Sequence, residues 1–400
     1  MSGINNEYQR VYAKINLNAL HENFDNISKL VKPDTKILAV LKTDGYGHGA
    51  VPIAKELEKK DKLFGFALAT AEEAMILRNS GIYKPLLVLG YTFSNVYEEM
   101  IMKGISFTVF REDMLNELAL ACRKLSSTEY KYKAKVHIKV DTGMGRIGIS
   151  PDDAGMEFVK KVLTYDEIEI EGVFTHFAKA DEKKRDYTLS QIEKFDAFVK
   201  KIKSVTGYDI PYVHASNSAG IIDYPQANYD LVRAGIILYG LWPSEYVSKD
   251  KLPLKPVLSL HSQIVFIKDV PEGVSISYGG MYVTEKSMKI ATVPIGYGEG
   301  YPRSLSNKAE VIVNGVRCRV LGRVCMDQLM IDVTDVENVA EGAEVVLIGS
   351  NGATEITMEE LGEISGRFNY EMACDLGKRI PRVFVKDNRI LYTKDYYEDF

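Results

Sequence analysis

The chain has 400 residues, 46% of them hydrophobic and 26% charged, with a formal net charge of −5 and an isoelectric point near 5.8. That length exceeds what one hydrophobic core usually supports, so two domains are expected, and the apolar content excludes a disordered chain. The acidic balance excludes a nucleic-acid backbone as partner, and no run of about 18 apolar residues suggests a membrane span. The opening MSGINNEYQR resembles neither a secretory signal nor a transit segment. Between residues 36 and 240 short apolar runs alternate with longer amphipathic ones, the pattern of βα units on a parallel sheet. The expected strands are KILAVLK (36–42), FGFALA (64–69), PLLVLG (85–90), ISFTVF (105–110), AKVHIKV (134–140), EIEGVFTHF (169–177), YVHAS (212–216) and DLVRAG (230–235). Eight such strands fit a closed barrel filled by its own side chains. Between them AVPIAKELEKK, TAEEAMILRNS, EDMLNELALACRKL and SQIEKFDAFVKKIKSV repeat apolar residues at helical spacing, and Thr70 with Glu73 matches a capping box.

From about residue 254 the texture changes to alternating strands, SLHSQIVFIK, KIATVPIG, EVIVNGVRCRV and EVVLIG, separated by Gly, Asn and Asp turns. The expected architecture is an eight-stranded (β/α) barrel of TIM type over residues 12–247, followed by a mainly β C-terminal domain over 248–400 that also takes in 1–11. Cys122, Cys318, Cys325 and Cys374 form no CxxC pair, so reduced thiols and a cytoplasmic location are expected, with no metal site.

In barrels of this type chemistry gathers at the C-terminal strand ends, and here those ends are polar. Strand one ends in Lys42 followed by TDGYGHG, strand five in Lys139 and Asp141 with TGMGR behind, and strand six in Thr175 and His176. Strand seven runs through His214 to Ser216, Asn217 and Ser218, and strand eight carries Arg233 before Gly235 and Ile236. A lysine at such an end either sheds its proton, finds an anion, reacts with a carbonyl or reaches out to solvent. The three glycines after Lys42 admit close backbone approach to a bound group, and Tyr46 adds a phenol. Ser218 together with Gly235 and Ile236 suits an anion at a helix start, although a serine cap and a plain glycine turn would read the same way.

These segments carry a resemblance. AVLKTDGYGHGA is similar to the lysine signature of the alanine racemases, pyridoxal-phosphate (PLP) enzymes of fold type III. HIKVDTGMGRIGI, EGVFTHFAKADE, SNSAG, LVRAGIILYGL, ISYGG, PIGYGEGYPR, GRVCMDQLMIDVT and KRIPRV follow in that family's order. The departures are small: Thr43 and Gly45 stand where many members have alanine, and CDLGKR precedes the final IPRV.

The resemblance implies that Lys42 holds PLP and serves as base on one face of the substrate, with Tyr278 on the other and His176 assisting that phenol. A tyrosine with a pKa near 10 needs such assistance. It implies that Arg233 faces the pyridine nitrogen, which leaves the cofactor a weaker electron sink than one paired with a carboxylate and disfavours transamination. His214 would orient Arg233, although a satisfied core histidine would look identical in sequence. Tyr46, Ser218, Gly235, Ile236 and Tyr370 would hold the phosphate. Arg146 and Met326 would meet the substrate, and Lys139, carried as a carbamate in some members, would brace Arg146. As a plain ammonium it would repel that arginine. Met326, Asp327 and Tyr278 would come from a second subunit, implying a homodimer with composite sites, and Tyr297 with Tyr370 would narrow the way in. The implied activity is interconversion of L- and D-alanine, supplying D-alanine for peptidoglycan. A broad-specificity or serine racemase, or an amino-acid decarboxylase of the same architecture, is the alternative. Arg233 and the CMD motif count against the decarboxylase.

Overall fold

The structure, a computed structural model, describes residues 10–127 and 130–397. Its strands begin with β1 (Val11–Asn16), then β2 (Lys36–Val40), β3 (Leu63–Leu68), β4 (Leu86–Val88), β5 (Ile105–Val109), β6 (Ala134–Lys139), β7 (Ile168–Phe174), β8 (Tyr212–His214) and β9 (Leu231–Ala234). β2 to β9 are parallel neighbours in chain order, and β9 closes on β2 from Leu231 beside Lys36 to Ala234 beside Ala39. Each of the eight runs expected from sequence contributes one strand. All five residues of β5 and all four of β9 are buried, as parallel strands covered on both faces require. The helix Glu112–Leu125 coincides with its expected segment, and the helix Asp186–Thr206 ends at Gly207, whose φ of 71° supplies the left-handed C-cap.

The remaining strands are β10 (Leu258–Gln263), β11 (Phe266–Val270), β12 (Ser275–Ile276), β13 (Tyr282–Val283), β14 (Met288–Val293), β15 (Glu310–Val313) and β16 (Val316–Leu321). They continue with β17 (Leu329–Asp332), β18 (Glu344–Asn351), β19 (Thr354–Ile356), β20 (Arg382–Lys386) and β21 (Arg389–Lys394). One sheet runs β11-β14-β17-β16-β15-β18-β10-β1-β20-β21 with β19 on β18, and β12 pairs with β13 alone. The stretch written SLHSQIVFIK divides into β10 and β11. Val270, Ile276, Met288, Ile290 and Leu321 make a small core that seats the β12–β13 hairpin.

By contact the described residues separate into two compact units, one made of residues 10–20, Tyr46–Gly49 and residues 255–397, the other of His21–Gly45 and Ala50–Leu254. The line drawn from sequence at residue 12 passes through β1, which pairs antiparallel with β10 and parallel with β20. Those partners lie hundreds of residues away, so local pattern does not reveal them. Among the described residues no helix is long and apolar enough to cross a membrane, and no cluster of histidine, cysteine or carboxylate side chains could hold a metal.

Candidate active site

The barrel strands deliver their polar residues one by one. Beyond β2, the amide of Leu41 still bonds to Ala67 O, and the chain then enters a left-handed turn in which Thr43, Asp44 and Gly45 have φ of 55°, 50° and 65°. Two of these are not glycine, and each such residue costs roughly 1–2 kcal/mol. Three bonds hold the turn behind Lys42: Gly45 N to Leu41 O at 2.8 Å, Ala50 N to Asp44 Oδ1 at 2.8 Å and Thr43 N to Glu73 Oε1 at 2.6 Å.

Arg233, on β9, is 3% exposed. Its Nη1 donates to His214 Nδ1 at 2.9 Å, and its Nη2 donates to Thr175 O at 2.8 Å, Ala215 O at 2.7 Å and His176 Nδ1 at 3.3 Å. The guanidinium lies over the Phe174 ring. Burial and the Arg146 charge lower its pKa to about 9, which leaves it a cation at neutral pH. Burial and the positive charges of Arg233, Arg146, Lys139 and Lys42 push His176 well below the usual histidine range, so it is neutral. Because arginine only donates, the His176 proton lies on Nε2.

Lys139, at the end of β6, is 2% exposed and donates to Val140 O at 2.7 Å and Ile147 O at 3.2 Å. It fastens the ends of the DTGMGR loop rather than bonding Arg146, which is exposed. Burial, against the pull of Asp141 and with the push of Arg233 and Arg146, lowers its pKa to about 8. The Asp141 carboxylate is committed to the amides of Gly143, Met144 and Gly145. Among the described residues no carboxylate forms an ion pair with Arg233, Arg146 or Lys139, and against the pull of Asp141 on Lys139 this end of the barrel gathers a surplus of positive charge.

The helix Ser218–Asp223 takes its N-cap from Asn217, whose Oδ1 accepts from Gly220 N at 3.0 Å. Ser218 is thereby released from capping, and its Oγ accepts from Gly235 N at 3.2 Å instead. Gly235, with φ −107° and ψ −108°, opens the short turn that begins at Ile236. Ser218, Gly235 and Ile236 are thus brought together at two turn starts, whose first amides have no partner within the turn.

In the other unit, Tyr278 follows Ser277, whose φ of 65° is rare for a side-chain-bearing residue. Ser277 Oγ donates to Arg323 O at 2.7 Å, which pins this conformation and projects Tyr278 from the hairpin, 70% exposed. Tyr278, Met326 and Asp327 line one cleft of about 460 Å³ with Ser277, Cys325 and Gln328. The loop bearing Tyr297 is zipped onto this segment by Tyr297 N to Cys325 O at 3.0 Å and Gly298 N to Met326 O at 2.8 Å. Asp327 pairs with Arg379 at 2.8 Å. Tyr46 and Tyr370 meet edge to face at 6.0 Å, and Tyr370 stacks on Phe368 at 4.4 Å.

Three groupings therefore emerge: Arg233 with His176 and His214, Ser218 with Gly235 and Ile236, and Tyr278 with Met326 and Asp327. Sequence reasoning missed His137 and Glu171, which stand behind His214, and Glu299, which is buried between Arg10 and Arg379. HIK within β6 and EGVF within β7 read as ordinary strand residues. Polar side chains at inward-facing barrel positions were the available signal.

Two family profiles match the chain, "Alanine racemase, N-terminal domain" over residues 15–243 and "Alanine racemase, C-terminal domain" over 257–384. A curated alanine racemase of Methanococcus maripaludis is 42% identical over 377 residues, covering 94% of this chain and 98% of that one. One from Clostridium perfringens is 44% identical over 386 residues, covering 96% and 98%. Among solved structures, alanine racemase from Clostridium difficile 630 superposes with a TM-score of 0.91 at 39% identity, covering 97% of this chain and 98% of that one. The Bacillus anthracis enzyme with bound L-Ala-P gives 0.89 at 34%, covering 98% and 99%.

Proposed function

Because this chain belongs to the alanine racemase family, we propose that it interconverts L- and D-alanine with pyridoxal 5′-phosphate as cofactor and Lys42 and Tyr278 as the two proton-handling groups. The observation that carries this reading is the surplus of positive charge at Arg233, Arg146 and Lys139, none of which bonds directly to a carboxylate and which suits a dianionic cofactor and a substrate carboxylate. The donor set fits the same group: a hydroxyl and turn-start amides at Ser218, Gly235 and Ile236 would hold the phosphate, and the family resemblance assigns Tyr46 and Tyr370 to it as well. Arg233 would meet the ring nitrogen and Lys42 the aldehyde carbon. Bound PLP supplies the electron withdrawal that makes the α-hydrogen of an amino acid acidic.

The chain's own residues do the rest. Lys42 takes or returns the α-proton at Nζ on one face, and Tyr278 does so at its phenolic oxygen on the other, since inversion requires delivery from the side opposite to removal. A phenolate is a poor species near neutrality without a donor. His176 supports that role, because Arg233 occupies its Nδ1 and leaves Nε2–H to donate to a phenolate. Arg146 and Met326 bind the substrate, and Asp327 is oriented by Arg379. Lys139 steadies the Arg146 loop through two carbonyls, and a carbamate on it would add the negative charge that braces Arg146 directly.

The exposure of Tyr278 and Met326, at 70% and 53%, supports a homodimer in which these residues complete the partner's barrel. Tyr297 and Tyr370 would restrict the opening to small side chains, and the cellular role would be cytoplasmic supply of D-alanine for peptidoglycan. Incubation with L-alanine in deuterium oxide tests the reading: chirality should be lost together with the α-hydrogen. Release of carbon dioxide, or no exchange at all in PLP-loaded protein, would reject it.

A further inference from the structure

Arg233 has no carboxylate against it, yet a chain of hydrogen bonds behind it leads to one. Arg233 Nη1 donates to His214 Nδ1 at 2.9 Å, His214 Nε2 lies 3.0 Å from His137 Nδ1, and His137 Nε2 lies 3.2 Å from Glu171 Oε2. Ser106 Oγ donates to that same oxygen at 2.6 Å, and Lys135 Nζ reaches Oε1 at 3.4 Å. His214, His137 and Glu171 are 0%, 1% and 9% exposed, so water does not substitute for any link.

The ends of this chain determine every proton within it. Arginine can only donate, so His214 Nδ1 accepts and the His214 proton is on Nε2. That proton is given to His137 Nδ1, so the His137 proton is also on Nε2 and is given to Glu171, which as a carboxylate only accepts. All the bonds point one way, from cation to anion, and aligned bonds of this kind polarise one another in a low-dielectric interior. The packing is specific to it. Phe174 stacks on His214 at 4.8 Å with 7° between planes, and the two imidazoles meet at 77°, so the edge of one faces the other. A Cβ at position 172 would fall 2.3 Å from His137 Nδ1, so Gly172 is what lets the His137 ring occupy this place.

We propose that Glu171 is the counter-charge of Arg233, and that His137 and His214, both held as Nε2–H tautomers, are positioning residues that carry it through the barrel interior. The relay fixes the guanidinium plane and keeps Arg233 a donor at the place where, on the reading above, it meets the cofactor ring nitrogen.

The first test needs no variant: ring ¹⁵N spectra of histidine-labelled holoenzyme should show protonated Nε2 and bare Nδ1 for both residues. A proton on Nδ1 of either ring overturns the proposal. The second uses E171Q, whose amide no longer dictates direction, and E171D, which keeps the charge. In E171Q the His214 ring resonances should move and kcat should fall about tenfold, with KM within about twofold of wild type, and E171D should recover most of kcat. Unchanged His214 resonances in a folded E171Q overturn the relay. Should the purified protein take up no PLP, the functional reading fails instead, and the tautomer spectra of the unloaded protein still decide the relay.

Discussion

Glu73 Oε1 accepts the amide of Thr43 at 2.6 Å while Oε2 of the same carboxylate accepts Ala69 N at 2.8 Å and Thr70 N at 3.4 Å. One side chain thus closes the cap of the helix Ala71–Asn79 and tethers the residue after Lys42. The left-handed turn there is unfavourable by itself and stands on such bonds. E73A should lower stability by about 1–3 kcal/mol, E73Q by less, and E73A should slow the appearance of the bound-PLP absorbance band. Thermal melts and stopped-flow absorbance check both; wild-type behaviour of E73A would show that Asp44 and Leu41 suffice.

Tyr278 is held away from its own hairpin by the strained Ser277 and buries little, so removing its hydroxyl should leave folding and PLP uptake untouched. Y278F should lower racemisation by about 10²–10⁴-fold, the usual worth of a positioned acid–base group. Polarimetry beside the PLP spectrum is the measurement, and a Y278F enzyme of near wild-type rate would remove the residue from the mechanism.

The pH dependence of stability follows from Glu171. Burial would raise its pKa, but the hydrogen bonds of His137 and the Ser106 hydroxyl and the charge of Lys135 outweigh burial and bring it down to about 2 from 4.5. A depressed acid contributes fully above its unfolded value and loses that contribution as pH falls through the folded one. The stability advantage of wild type over E171Q should therefore be about 1–3 kcal/mol above about pH 5 and shrink as pH falls from about 4.5 toward 2. Denaturant melts at neutral and acid pH measure it, and a constant gap would mean the carboxylate is not the source.

Glu299 is fully buried and pairs with Arg10 at 2.8 Å and Arg379 at 3.1 Å, both partly in solvent. Its Oε2 accepts Gly296 N at 2.9 Å, so it ties the Tyr297 loop to the arginine that holds Asp327. Removing the arginines strands a buried charge, whereas removing the carboxylate leaves two cations that water can reach. The double variant R10A/R379A should cost about 3–5 kcal/mol, and E299Q about 1–3 kcal/mol. The reverse order in a melting series would contradict this account.

The eight barrel strands, the helices between them and the Thr70–Glu73 cap were legible in the sequence because each depends on residues a few positions apart: apolar spacing, turn chemistry and a local hydrogen bond. The same holds for the positions of Lys42, Lys139, His176 and Arg233 near strand ends, since a strand's end is a local event. Only the tertiary structure decided that β1 joins β10 and β20, that Asn217 rather than Ser218 caps its helix, and that Thr43 and Asp44 adopt left-handed backbone. It alone also turned His137, Glu171 and Glu299 from ordinary strand and loop residues into parts of charge networks. The worth of a buried charge depends on how far away the opposite charge lies and how little water is between them, and those distances exist only once the chain has folded.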